Sequence, residues 1–174
     1  MKGNLALSNA YLALLESPQT EQTAARAKAG FEEAHSYLSR SPDPHLGLAR
    51  IYVYHLRNIG RAVAELSDAE RLGFKLGPRE FEQQGDGYLL RAESELRQAQ
   101  KATQKRADAA KYLALARGDM DRARNLYEPI DGYSNVGSNL KRLDRDRDRL
   151  QVLLARNEKP IYARKMPRRP RTWR

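Results

Sequence analysis

His35, His45 and His55 stand ten residues apart, and evenly spaced imidazoles raise the question of a metal site. Ligands to one ion must converge on it. Ser41-Pro42-Asp43-Pro44 separates the first two histidines. Ten residues of helix amount to about 1000° of rotation, roughly 280° beyond whole turns, so His45 and His55 fall on different faces. No cysteine is present, and no carboxylate or second histidine sits at ligand spacing beside any of the three, so neither metal nor cofactor is expected. Gly85-Asp86-Gly87 lacks the preceding strand and following Lys-Ser/Thr of a phosphate loop, and close helix packing accounts for it better. The serines form no nucleophile-elbow pattern. Most acids adjoin Arg or Lys on polar helix faces, where solvated pairs are the default. No catalytic residue is named, and a non-enzymatic protein is expected.

Charge offers a second chemistry. The 174 residues carry 32 basic and 22 acidic side chains, but residues 159–174 hold seven of the basic ones and no acid. The remainder is nearly balanced. Pro160, Pro167 and Pro170 exclude a helix in that tail, which predicts an extended basic arm. Arg164, Lys165, Arg168, Arg169, Arg171 and Arg174 suit phosphates or another anionic surface, and Trp173 or Tyr162 suits stacking on a base. Arg164-x-x-Pro167-x-x-Pro170 also fits a polyproline-type ligand, while a solvated end remains the plain alternative. The longest apolar runs, Leu12–Leu15 and Val152–Ala155, are far short of the ~18 residues of a membrane span. The Leu5–Leu15 stretch is interrupted by Ser8 and Asn9 and lacks a cleavage pattern, so a cytoplasmic protein is expected.

The elements that must position these groups are all predicted helices, since no segment alternates with period two. Leu5, Leu7, Tyr11, Leu12, Leu14 and Leu15 mark a first short helix, and Ser17-Pro18 caps the second, whose face is Ala24, Ala27, Phe31, Ala34 and Leu38. Asp43 caps the next, with Pro44 in its first turn. Asn58-Ile59-Gly60 turns the chain into a returning helix that ends at Gly73. Gly77-Pro78 opens a long helix of about 20 residues. Further helices are predicted over 105–117, ending at Gly118, then 119–128, and finally 134–157.

Ala27-x3-Phe31-x2-Ala34 returns as Ala62-x3-Leu66-x2-Ala69, 35 residues on, and as Ala123-x3-Tyr127-x2-Ile130. Phe81-x2-Gln84-Gly85-x2-Tyr88 resembles the W-x2-L-G-x2-Y signature of tetratricopeptide repeats, and Gly118–Ala123 is similar to that family's turn and second-helix start. The resemblance spans about residues 20–130. It departs from the pattern in a longer loop after Tyr52 and an overlong helix from Arg79, and an irregular helical bundle is the alternative. It implies an all-α, right-handed array of three to four antiparallel helix hairpins over residues 1–157, with a C-terminal capping helix and the basic tail at 158–174. Leu140, Leu143, Leu150 and Leu154 give that last helix an inner face, and the run Asp144–Arg149 gives it a soluble outer one. The function implied is a scaffold or adaptor holding a protein or peptide partner in a concave groove. The family pattern puts Arg50, Tyr54, Arg79, Gln83, Asp86, Lys105 and Tyr112 on the groove side. The alternative is a nucleic-acid or ribonucleoprotein-associated protein working through its tail.

Overall fold

Seven α-helices account for nearly all the residues that the computed structural model describes, which are 1–16, 20–102 and 105–158. They are α1 (Lys2–Leu15), α2 (Glu21–Tyr37), α3 (Asp43–Tyr54), α4 (Ile59–Arg71), α5 (Pro78–Lys101), α6 (Arg106–Tyr127) and α7 (Val136–Glu158), with a 3-10 turn at Glu128–Ile130. There is no strand among the described residues. Nor is any of their helices long and apolar enough to cross a membrane.

Local chemistry sets the boundaries. Thr20 and Thr23 cap α2 reciprocally: the Thr23 amide donates to Thr20 Oγ1 at 3.1 Å, and the Thr20 amide to Thr23 Oγ1 at 2.8 Å. The predicted cap at Ser17-Pro18 lies outside the described residues. Asp43 is the first residue of α3 rather than its cap, and its amide donates to Ser41 Oγ. Asn58 caps α4 through its side-chain oxygen, and Gly73 adopts φ +92° after α4. Pro78 begins α5, where the Gly77 amide donates to the buried Glu80 carboxylate at 3.0 Å.

Packing pairs α1 with α2, α3 with α4 and α5 with α6, and α7 lies on α5 and α6. Consecutive pairs also touch through α1 and α3, α3 and α5, and α5 and α7, whereas no comparable contact joins the even-numbered helices among the described residues. Small residues make these approaches possible. A Cβ on Gly47 would stand 2.2 Å from the Phe31 ring, one on Gly85 2.4 Å from Tyr127, and one on Gly87 2.5 Å from Ile59. Gly85-Asp86-Gly87 is therefore where α5 receives neighbours on two sides. All nine residues of the three repeated triads are buried.

Three expectations are corrected. In α1 the buried residues are Gly3, Ala6, Ala10 and Ala13, while Leu5, Leu12 and Leu15 are 64%, 61% and 79% exposed. Backbone proximity to α2, where Gly30 meets Ala10, decides this face, and leucines would hold the helices apart. Gly118 does not end a helix, because Ala116, Met120 and Ala123 bury one continuous face of α6. That burial outweighs the cost of about 1 kcal/mol for an interior glycine. The charge run in α7 is also more than a solvated face. Arg147 pairs with Asp121 at 2.5 Å, Asp144 with Arg124, and Arg149 donates to Gln100 at 2.6 Å, each onto a neighbouring helix.

Candidate functional site

Arg50 and Tyr54 lie one turn apart on α3, and Arg79, Gln83 and Asp86 follow at steps of four and three on α5, so both sets project from one side of each helix. The contact between α3 and α5 brings the two sets together. Tyr11, Arg50, Tyr54, Arg79, Glu82 and Gln83 line a cleft of about 180 Å³ between α1, α3 and α5. Arg79 pairs with Glu80 at 2.7 Å, and Glu82 accepts from the Asn135 amide at 3.2 Å. Gln83 is only 7% exposed, yet its amide nitrogen has no hydrogen-bond partner. Burial, reinforced by Asp43, raises the Tyr11 phenol above its ordinary range.

Asp86 does something different. Its Oδ2 accepts from the Tyr54 hydroxyl at 2.7 Å, and its Oδ1 accepts from the Tyr127 hydroxyl at 2.7 Å and the Asn139 amide at 2.8 Å. One carboxylate thus ties α3, α5, α6 and α7 together through uncharged donors. Burial first, and the Asp86 carboxylate next, push both phenols far above the usual tyrosine range, so they remain donors. Asp86 is a structural node bonded to the cleft residue Tyr54, with both carboxylate oxygens already engaged.

Comparison of the chain with models of known families, with curated proteins and with solved structures finds no match.

Of the seven groove residues expected, Arg50, Tyr54, Arg79 and Gln83 line this cleft, and Asp86 is bonded to Tyr54. Lys105 stands exposed before the first turn of α6, and Tyr112 is half-buried against the apolar cluster of α5, α6 and α7. α6 runs unbroken over Arg106–Tyr127, so a mapping that treated 105–117 as a separate helix does not bring these two residues to the cleft of α1, α3 and α5. The tail residues Arg164, Lys165, Arg168, Arg169, Arg171, Trp173 and Arg174 lie outside the described residues. Tyr11 and Glu82 were missed: Tyr11 reads as part of an apolar helix face, and only the approach of α1 to α3 makes it groove-lining.

A second polar node lies between α5 and α6. Asp119, 1% exposed, receives Arg91 through two bonds of 2.5 and 2.8 Å and Arg122 at 2.9 Å. The same two guanidiniums lie 5.5 and 5.7 Å from the Tyr88 ring. Glu95 stands in this field, and burial, with Asp119 adding repulsion, raises its carboxyl to about 7 against the opposing pull of Arg91 and Arg122. The cleft and the nodes contain guanidiniums, phenols, an amide and acids, of which Glu80, Glu82, Asp86 and Asp119 are already in hydrogen bonds.

Proposed function

We propose that the chain is a non-enzymatic protein-interaction scaffold, a tetratricopeptide-like array whose odd-numbered helices hold an acidic segment of a partner in the cleft beside Arg50 and Gln83. The observation that carries this reading is the buried, unpartnered amide nitrogen of Gln83 in the cleft it lines with Arg50 and Arg79. A buried donor without an acceptor costs about 1–3 kcal/mol, and a carbonyl or carboxylate from a bound segment would supply the missing bond. Arg50 makes no ion pair among the described residues, and the acids nearby are engaged: Glu80 by Arg79, Asp86 by its three donors. The charges around the cleft stay mixed, and Arg50 is its cation without an ion pair among the described residues, beside the Gln83 donor. The alternation of contacts, in which odd-numbered helices touch one another while no comparable contact joins the even-numbered ones among the described residues, supports a repeat array with one continuous row of odd helices. Such a row is preorganised, so binding mainly orders the ligand.

Panning a random peptide display library against the full chain tests this. The expected result is enrichment of peptides with Asp or Glu, whose affinity falls at least tenfold in Arg50→Glu and Gln83→Leu. Failure to enrich any peptide, or enriched peptides that bind both variants unchanged, would overturn it. Parallel capture with the full chain and residues 1–158, with and without nuclease, separates this mode from one that depends on the tail and nucleic acid.

A further inference from the structure

The hairpin of α3 and α4 carries a second cluster, remote in chemistry from the acidic-segment cleft. Antiparallel packing sets the start of α3 beside the last turns of α4, so His45 meets Glu65, with Nδ1 and Oε2 2.8 Å apart. Asp68 follows Glu65 by three residues, which keeps both carboxylates on one face of α4. One ligand atom from each of His45, Glu65 and Asp68 lies within 4.8 Å of the other two. The Ser41–Pro42 turn folds α3 back on α2, which brings the His35 ring edge-on to His45, with centroids 4.6 Å apart. The two histidines separated by a chain break in the sequence are therefore in contact, and two carboxylates stand beside one of them.

We propose that His45, Glu65 and Asp68 form a three-ligand site for a divalent transition-metal ion, Zn²⁺ being the best fit to this set, with water completing the shell. One imidazole and two carboxylates match the mixed nitrogen and oxygen preference of such ions. A His–Glu hydrogen bond would account for two of these residues alone. It does not account for Asp68, whose carboxylate closes the triangle while its ion pair goes to the exposed Arg71. His45 is 8% exposed and fixed by the His35 ring, whereas both carboxylates keep an outward path, as an ion's entry requires.

The steric and protonic requirements are modest. Ligand atoms held tetrahedrally at about 2.1 Å lie roughly 3.4 Å apart, so Glu65 must withdraw by about 0.6 Å, within reach of a side-chain rotation. Asp68 also pairs with Arg71, which is 76% exposed on its side chain and can turn into solvent. Nδ1 of His45 must present its lone pair to the ion, so the ring binds as the tautomer that carries its N–H on Nε2. His35 is a positioning residue here: it orients the His45 ring without touching the ion.

Titration of the full chain with Zn²⁺ alone is the test, followed by calorimetry and by the nitrogen shifts of its three histidines. The expected result is one saturable site, a shift confined to the His45 ring with its direct neighbour His35, and a rise in Tm of roughly 5 °C at hundredfold excess over Kd. Asp68→Asn, a conservative change at a partly exposed position, weakens binding at least tenfold. Glu65→Gln does the same, and His55→Gln leaves it unchanged. Absence of saturable binding, equal affinity in Asp68→Asn, or loss of binding in His55→Gln would each overturn the assignment. Co²⁺ absorption in the visible range provides a readout independent of stability.

Discussion

The two halves of the molecule are held together differently. In α1–α4 the helices approach through glycine and alanine. Gly3 faces Leu38, Gly30 faces Ala10 and Gly47 faces Phe31, each closer than a Cβ would allow. In α5–α7 the core centres on Leu89, Leu96, Leu113, Met120, Leu143 and Leu150, Gly85 admits the Tyr127 ring, and the helices are in addition clamped at the core's edges by charge. Arg91 reaches Asp119, Arg142 reaches Glu93 at 2.5 Å, and Arg147 reaches Asp121. Shape therefore governs the first half, and ionisation contributes to the second. Tyr88 packs against the core of each half and couples them.

The largest test of this contrast is steric. Gly47→Val inserts a branched side chain where the Phe31 ring leaves no room, and neither Gly47 nor Phe31 has solvent to move into. The expected loss is about 3 kcal/mol, with Tm lower by roughly 10 °C. A thermal melt unchanged within 2 °C would mean that α3 slides on α2 at no cost, and shape would not be the constraint.

The electrostatic half is tested at Asp119. Asp119→Ala removes the acceptor for Arg91 and Arg122, both of which reach solvent, so the expected loss is about 2 kcal/mol rather than the full cost of a stranded buried charge. Amide exchange should quicken in α5 and α6 and stay slow in α2 and α3. Asp86→Asn is the matched control. Its partners are neutral hydroxyl and amide donors, one of which must lose its acceptor, so about 1 kcal/mol is expected, with little dependence on salt.

What the sequence made legible follows the same division. Ala27-Phe31-Ala34 and Ala62-Leu66-Ala69 were readable because spacing along one helix defines a buried face. That Arg50 and Tyr54 share one side of α3, and Arg79 and Gln83 one side of α5, was readable for the same reason. Contacts between elements distant in sequence were not. Leucine outweighs alanine in any apolar pattern, so the outward turn of Leu5 and Leu12 left no local trace. The Asp144–Arg149 run balances attraction and repulsion within its own helix, and its pairing with Asp121, Arg124 and Gln100 depends on where α6 and α5 lie. Lys105 and Tyr112 were mapped onto a separate helix because Gly118, which lies inside α6, was read as a helix end. His35 and His45 were separated because the chain breaks between them, although that same break folds one onto the other.

Gly118 sharpens the comparison from the opposite side. It has the residue type of Gly47 but lies within α6 with no atom within 4 Å of a would-be Cβ. Gly118→Ala is expected to stabilise the chain by about 1 kcal/mol, through helix propensity and a less flexible unfolded state. Destabilisation on urea titration would show that this position needs backbone freedom, as the turn expected there would have required.

The smallest effect separates the halves by pH. The Glu95 carboxyl, ordinarily near 4.5, titrates at about 7 in the folded chain, mainly because it is buried and secondarily because Asp119 repels its charge. A raised carboxyl pKa means that the folded state keeps a proton which the unfolded chain has released. Its contribution is therefore intact below pH 4.5 and is lost as pH rises through 7. Glu95→Gln abolishes that titration while retaining the side chain's size. The variant and the parent should unfold alike at pH 4.5, and at pH 8.5 the variant should be more stable by roughly 0.5–1 kcal/mol, after allowance for solvent screening. Arg91 and Arg122 oppose the shift, so Asp119→Ala, which frees both from Asp119 and removes its repulsion, should shrink this difference. Parent and variant curves that coincide from pH 4.5 to 8.5 would place Glu95 in ordinary solvent contact. The α5–α6 seam would then be as indifferent to ionisation as the glycine-packed interfaces of α1–α4.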